Sequence, residues 1–245
     1  MRDKFSDNAF MTKLLNNGNS KTIKGEKLGW TTFGLHLAPF NLAGKNVCAH
    51  ASAGCAAACL NTAGRGAMSN VQKSRIAKTQ KFFADKNAFT WQLAKEIGNA
   101  VKLSAKKGMK PCFRLNLTSD LPWESIKVES DGKKISLMEM YPDVQFYDYT
   151  KSFPRMQKYL KGEMPSNYHL TFSRSECNDN LVNLVLKLGG NVAAVFRNEF
   201  PKSWKSVKVV NGDETDLRFL DGKNKIVGLV QKGLAKKDET GFVIG

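Results

Sequence analysis

A chain of 245 residues with 42% hydrophobic content is long enough to bury a substantial core as one domain, and no composition break divides it. No run is apolar for long enough to span a membrane, and the start, M-R-D-K-F-S-D-N, lacks the apolar core of a signal peptide, so the expectation is a cytoplasmic protein. With 38 Lys and Arg against 22 Asp and Glu the formal net charge is +16, a field that attracts polyanions and makes nucleic acid a candidate partner on charge alone, against the plainer reading of a solvated lysine-rich surface.

Residues 1–30 read as an N-terminal arm, with a short helix over residues 3–17 carrying Phe10, Leu14 and Leu15 and ended by N-N-G-N-S. Residues 31–37 (T-T-F-G-L-H-L) read as a strand stopped by Ala38-Pro39, and a cysteine-rich loop follows within residues 31–68. Ser69 or Asn70 caps a helix to about residue 85, and a second helix from Asn87 to Lys107 places Phe89, Leu93, Ile97, Ala100 and Ser104 on one face before Gly108 ends it.

Strand and helix then alternate to residue 200. Strands fall at residues 111–117, 144–149, 168–173 and 192–196, helices near residues 153–160 and 178–188, and a hairpin about Asp131-Gly132 at residues 126–137. Alternation of this kind predicts a parallel sheet joined by right-handed crossovers. In residues 201–245 the runs 207–210, 216–219 and 226–230 are separated by N-G and D-G turns; two of them are expected to form an antiparallel β ribbon and the last to complete the sheet. Six sheet strands, near residues 35, 114, 146, 170, 194 and 228, predict an α/β fold of one domain, a partial (β/α)6 TIM-like barrel with the cysteine loop after its first strand.

The chemistry is concentrated in C-A-H-A-S-A-G-C-A-A-A-C-L, residues 48–60, which holds three of the five cysteines. An odd number of cysteines does not suit a disulfide framework, and thiol or metal chemistry is the better reading. Between Cys48, Cys55 and Cys59 nearly everything is Ala, Gly or Ser, which leaves backbone N–H groups free to reach the sulfurs of an iron-sulfur cluster. Gly54 is read as permitting a tight turn, and residues 56–60 as opening a helix whose N-terminus favours a thiolate-bound centre. Zinc is the main rival, since Cys48, His50, Cys55 and Cys59 make a Cys₃His set. Structural zinc sites draw on two separated ligand pairs, whereas three ligands on one loop suit a [4Fe-4S] cube with one iron left open. The plain alternative is three buried cysteines packing as small apolar residues.

In such sheets function gathers beyond the carboxyl ends of the strands. Asn116, Asp120, Lys151, Arg174, Glu176 and Arg197 fall there and are the candidate substrate-binding residues, with Arg174 and Arg197 expected to point a small anionic ligand at the open iron. The competing reading is that strand-to-helix turns are polar because such residues cap helices. Walker, HExxH and Ser-His-Asp patterns are missing, which disfavours P-loop hydrolysis and standard protease chemistry.

The stretch G-W-T-T-F-G-L-H-L-A-P-F-N-L-A-G-K-N-V-C-A-H-A-S-A-G-C-A-A-A-C-L-N-T-A-G-R-G, together with I-V-G-L-V-Q-K-G-L-A-K-K-D-E-T-G-F-V, resembles the bacteriophage gene product eighty-eight domain family over nearly the whole chain. The resemblance implies a viral origin, hence the host cell cytoplasm, and a cysteine-rich loop ahead of a barrel-like region. It implies no settled activity. More distantly, the order of strand, three-cysteine loop and partial barrel is similar to that of radical S-adenosylmethionine enzymes. Their usual C-x3-C-x2-C is here C-x6-C-x3-C, and no Gly-Gly-Glu element follows Leu117, so the likeness implies architecture and not S-adenosylmethionine binding. Two readings of function stand: a cluster protein with an open iron, or a zinc- or cluster-stabilised basic module that docks nucleic acid or an acidic host protein.

Overall fold

The computed structural model describes residues 13–18, 22–130 and 132–245. Most of the helix expected over residues 3–17 lies outside the described residues. Its described end is not helical: Leu15–Asn16 form β1, antiparallel to β2 (Trp30–Leu35) through Leu15↔Leu35 and Asn16↔Gly34. The apolar pair that suggested a helix face is buried against a sheet edge, where the Glu96 carboxylate accepts the backbone N–H groups of Leu14 and Leu15 at 2.8–3.0 Å.

After β2 the chain runs through the cysteine loop with its short helix α1 (Ala53–Ala57) into two long helices, α2 (Ser69–Ala84) and α3 (Lys86–Lys106). Asp85 caps α3 by accepting from Ala88 N at 2.9 Å. There follow β3 (Lys110–Arg114), the hairpin of β4 (Lys127–Ser130) and β5 (Lys133–Ser136), α4 (Leu137–Met140), β6 (Gln145–Thr150), α5 (Phe153–Leu160), β7 (Tyr168–Ser173), α6 (Asp179–Lys187) and β8 (Val192–Phe196). The last part holds β9 (Ser203–Trp204), β10 (Val207–Asn211), β11 (Ile226–Val230) and β12 (Val243–Ile244).

The architecture is mixed α/β around one large, mostly parallel sheet. Strands β2, β3, β6, β7, β8 and β11 lie side by side in chain order, all parallel. Beyond them the C-terminal part departs from expectation. No antiparallel ribbon links residues 207–210 and 216–219: β10 is parallel to β11 through Val210↔Val227, and residues 218–220 are a 3-10 turn. Antiparallel pairing there is confined to the two-residue β9 against β10. The reason is packing. Residues 212–225 are long enough to act as a crossover, and they carry Leu217 and Phe219 onto one face of the sheet beside Trp30, Cys112 and Tyr147.

The other face carries the main core, in which Phe33, Phe113 and Phe146 stack across β2, β3 and β6 at centroid distances of 5.5 Å. Each such ring removed from water contributes about 1.5–3 kcal/mol. On the Leu217 face the outer strands of the parallel set are bridged. Lys24 Nζ donates to Asp213 O at 2.6 Å, Trp30 and Phe219 meet edge to face at 4.9 Å, and Arg114 pairs with Asp216 at 2.9 Å.

The feature that positions the site is a split in the sheet. The β7–β8 ladder stops at Ser173↔Ala193, and from there the last strand of the chain takes the place of β7: β12 pairs with β8 through Val195↔Val243 and Phe196↔Ile244. The C-terminal segment therefore enters the sheet between two carboxyl ends and lies against the cysteine loop.

Candidate metal centre

The loop is anchored at both ends before any cysteine is considered. Upstream, Asp120 N donates to Val47 O at 2.8 Å, which fixes the residue before Cys48 to the turn after β3. Downstream, buried Asn61 is held by Gln72 and by Arg75 on α2: Arg75 Nη1 donates to Asn61 O at 2.7 Å and to its Oδ1 at 2.5 Å.

Between these anchors α1 is held from the far side of the sheet. Ser52 caps it, accepting from Cys55 N at 3.2 Å, and Ser52 Oγ donates to Glu176 Oε2 at 2.7 Å while Gly54 N donates to Glu176 Oε1 at 2.7 Å. A Cβ on Gly54 would stand 2.3 Å from Thr240 Oγ1 and 2.9 Å from the Glu176 carboxyl. Gly54 is therefore required by close approach, and the tight turn expected of it is not the reason. The Glu176 carboxyl is held below the usual carboxylate range: burial works against ionisation, and the Ser52 hydroxyl, the Gly54 N–H and Lys151 outweigh it.

All three cysteines of the loop are half-buried and free. Burial pushes the Cys48 thiol up to about 11, with Cys59, Asp120 and Cys55 acting in the same direction and the Phe40 N–H against it. Burial also raises Cys59; the Asn61 N–H opposes, Cys55 adds to the rise, and Arg75 and Lys151 oppose. Cys48 Sγ donates to Thr118 O at 3.9 Å. Among the described residues no group of three or more His, Cys, Asp and Glu is placed to hold a metal, and His50 is exposed.

The candidate rim residues divide. Lys151 and Glu176 face the loop; Lys151 Nζ donates to Ser173 Oγ at 2.6 Å and lies 5.4 Å from the centre of the Phe242 ring. Asp120 is a bracket: besides Val47, it takes Lys151 N at 2.8 Å and Arg155 Nη1 at 2.6 Å, so it ties the start of the loop to Lys151. Asn116 is buried and closes its own turn, accepting from Ser119 Oγ at 2.8 Å and Leu121 N at 2.9 Å. Both arginines reach the C-terminal segment. Arg174 Nη1 donates to the carbonyls of Gly241 and Phe242, and Arg197 Nη2 to Asp238 O at 2.9 Å.

The residues that sequence reasoning passed over are Arg75, Asn61, Thr240 and Phe242. Arg75 lies inside an ordinary amphipathic helix, and its buried Nε has no hydrogen-bond partner. The one available signal was Asn61 and Gly66 just past Cys59: a Cβ on Gly66 would stand 2.3 Å from Asn61 O.

Among the described residues no helix is long and apolar enough to cross a membrane. A family model described as Gene product 88 matches residues 13–245. No curated protein and no solved structure matches the chain.

Proposed function

The chain belongs to the bacteriophage gene product 88 family, and from that premise we propose that it is an iron-sulfur protein of the host cytoplasm. Cys48, Cys55 and Cys59 would hold a [4Fe-4S] cluster with one iron left open to the pocket at the strand ends, and the six parallel strands would form a partial (β/α)6 barrel. The observation that supports this reading is three half-buried free cysteines on one loop whose two ends and short helix are clamped by Asp120, Arg75 and Glu176. The donor set suits the group. Thiolate sulfur is the iron-sulfur ligand, N–H contacts to sulfur are its usual surroundings, and alanines leave space around it. Against a closed Cys₃His zinc site stands the exposure of His50 on the loop.

Bound there, such a cluster supplies Lewis acidity or an electron. The protein's own residues do the rest. Arg75 and Lys151, beside Cys59, offset the negative charge of a thiolate-ligated centre. Glu176 and the C-terminal segment hold α1 in place, and Asp120 keeps Lys151 in register with Cys48. Lys151, half-buried between Ser173 and Phe242, is the cation placed to receive a small anionic ligand, a part that Arg174 and Arg197 do not fill because their guanidinium groups serve the C-terminal segment. His36, lowered to about 3 by burial together with Arg75, Arg114 and Lys78, keeps a neutral ring near Thr118.

The test is anaerobic reconstitution with iron and sulfide, followed by absorbance and electron paramagnetic resonance with and without S-adenosylmethionine. A brown protein with iron and sulfide in equal amounts is the expected result. A spectrum altered by S-adenosylmethionine assigns the radical type of chemistry, and an unaltered one leaves Lewis-acid or electron-transfer chemistry. Colourless protein carrying one equivalent of zinc overturns the cluster.

A further inference from the structure

We infer that the edge of the sheet where its parallel strands begin is a binding face for single-stranded nucleic acid. The cysteine loop follows the carboxyl end of β2, at the other edge, and whatever it holds plays no part here. Parallel pairing fixes which residues share the starting edge. Trp30 opens β2 and pairs with Lys110, which opens β3, and Lys110 N donates to Gly29 O at 2.9 Å. Lys27 lies in the turn before β2, Lys106 and Lys107 end α3, and Lys223 and Lys225 lead into β11, whose Ile226 pairs with Val192 at the start of β8. Of these lysines Lys27, Lys106, Lys107, Lys110 and Lys223 are exposed.

The lysines before β2 and β3 and those before β11 belong to opposite sides of the parallel set, and direct contacts join them. The crossover that leads into β11 reaches back to β2, where Phe219 meets Trp30 edge to face at 4.9 Å. Lys110 Nζ lies 5.6 Å from the centre of the Trp30 ring, and Lys223 follows Phe219 by four residues. Gly25, two residues before Lys27, lies so close to the crossover that a Cβ on it would stand 3.3 Å from the Leu217 side chain. Both rings are half-buried, and beside them in sequence Leu28 and Leu220 are 55% and 52% exposed.

Charge and rings together decide the occupant. Residues 22–30, 101–110 and 219–226 hold eight lysines against two carboxylates, and one of the two, Asp221, is bound by Arg218 at 3.1 Å. Cations at the end of α3 suit the helix dipole, but Lys110, Lys223 and Lys225 stand at strand starts, where no helix dipole calls for them. Lysines massed in this way neutralise phosphates and release their counterions. A duplex keeps its bases stacked inside and offers phosphates, so the rings and exposed leucines between the lysines would gain nothing from it. Unpaired bases have open faces to set against Trp30 and Phe219, and a cationic surface interleaved with aromatic rings is how single strands are held.

The test uses the full chain, metal-free, with a fluorescein-labelled oligothymidylate of about twenty nucleotides as probe, read by anisotropy across a salt series. Expected is binding that weakens with salt. The triple change Lys27→Gln, Lys107→Gln and Lys223→Gln should lower affinity at least about tenfold and reduce the slope of log affinity against log salt by about 2, three phosphate contacts at roughly 0.7 each. The same change at Lys45, Lys236 and Lys237, exposed on segments that follow the carboxyl ends of β2 and β11, should cost less than about twofold. Trp30→Phe keeps a ring against Phe219; it should abolish the quenching of tryptophan fluorescence by the oligonucleotide and leave the salt slope unchanged. Equal losses from the two triples, no binding, quenching that survives Trp30→Phe, or a duplex or polyglutamate of the same length bound as tightly overturns the inference. Serine in place of all three loop cysteines should leave the affinity unchanged, so that the cluster and this face stand or fall separately.

Discussion

Cysteine meets two different environments in this sheet. Cys112 on β3 is fully buried, lies 3.2 Å from Thr32 Oγ1, and is packed among Trp30, Tyr147, Leu217 and Phe219; burial pushes it up to about 12, the Thr32 contact opposing. At the cysteine loop Cys48 and Cys59 are raised as well, and for the same first reason. Protonation alone therefore does not separate an inert thiol from a ligand. The separation lies in the neighbours: large side chains fill the space at Cys112, whereas the loop between Cys48 and Cys59 is built almost wholly of alanine, glycine and serine. A metal that displaces the thiol proton would meet small side chains at the loop and a filled apolar cluster at Cys112.

The sharpest way to break that comparison is to exchange sulfur for oxygen on both sides of it. Cys48→Ser, Cys55→Ser and Cys59→Ser should each abolish iron binding, measured by metal analysis after anaerobic reconstitution. Cys112→Ser and Cys177→Ser should keep it. Loss of iron from Cys177→Ser equal to that from the loop variants makes a four-cysteine site and removes the open iron.

The closed side should show its nature as lost stability. Asp216 is 1% exposed, pairs with Arg114 and accepts from the Tyr147 hydroxyl at 3.3 Å, so Asp216→Ala leaves a buried guanidinium without its carboxylate. The expected cost is about 3–5 kcal/mol in denaturant unfolding, without a change in iron content of the protein that remains folded. Iron lost in proportion to stability would mean that the two environments are one cooperative unit.

Acid should act on the sheet before it acts on Glu176 at the loop. His169 at the start of β7 meets the Tyr159 hydroxyl through Nδ1 at 2.9 Å, and burial, aided by Arg218, lowers it from 6.5 to about 4. Between those two values the unfolded chain binds the proton and the folded chain does not, so stability is lost as pH falls from 6.5 towards 4. The loss should be on the order of 2 kcal/mol. His169→Gln should flatten the profile of unfolding midpoint against pH in that window; an unchanged slope assigns the acid loss to other groups. Glu176, held below the ordinary carboxylate range, keeps its contribution above that range and loses it only at lower pH.

Much of this frame was legible in the chain. Six strands fall where alternating strand and helix patterns placed them, because buried parallel strands read as short apolar runs between helices. The Asp131-Gly132 signal marks the β4–β5 hairpin, of which residue 131 itself lies outside the described residues. What was not legible depends on contacts distant in sequence. Leu15 reads as helical until Leu35 is beside it, and N-G and D-G dipeptides mark reversals without saying whether the next strand returns parallel. The carboxylate that clasps α1 comes from Glu176, 122 residues away from Gly54, and β12 is two residues long, too short for any periodicity. The cysteine spacing was visible, while its clasp was not.

The smallest expected effect separates two uses of the same arginine. Beyond strand ends a guanidinium suits an anion, yet Arg174 donates to the carbonyls of Gly241 and Phe242 and pairs with Asp179 at 3.1 Å. Those bonds hold the segment in which Thr240 touches Gly54 and Val243 packs on Ala58. Arg174→Lys keeps the charge and loses the planar group that holds both carbonyls through Nη1 and Asp179 through Nε, which should free the segment locally by about 1–2 kcal/mol. Because β12 lies at the end of the chain, this opening need not unfold the sheet. The readout is the rate of alkylation of the loop cysteines in metal-free protein, expected to rise roughly tenfold while the global unfolding midpoint moves little. Arg197→Lys should act in the same direction. An unchanged alkylation rate together with weakened binding of a small carboxylate to the reconstituted protein would return these arginines to the anion site and leave the C-terminal segment held by β12 and Asp238 alone.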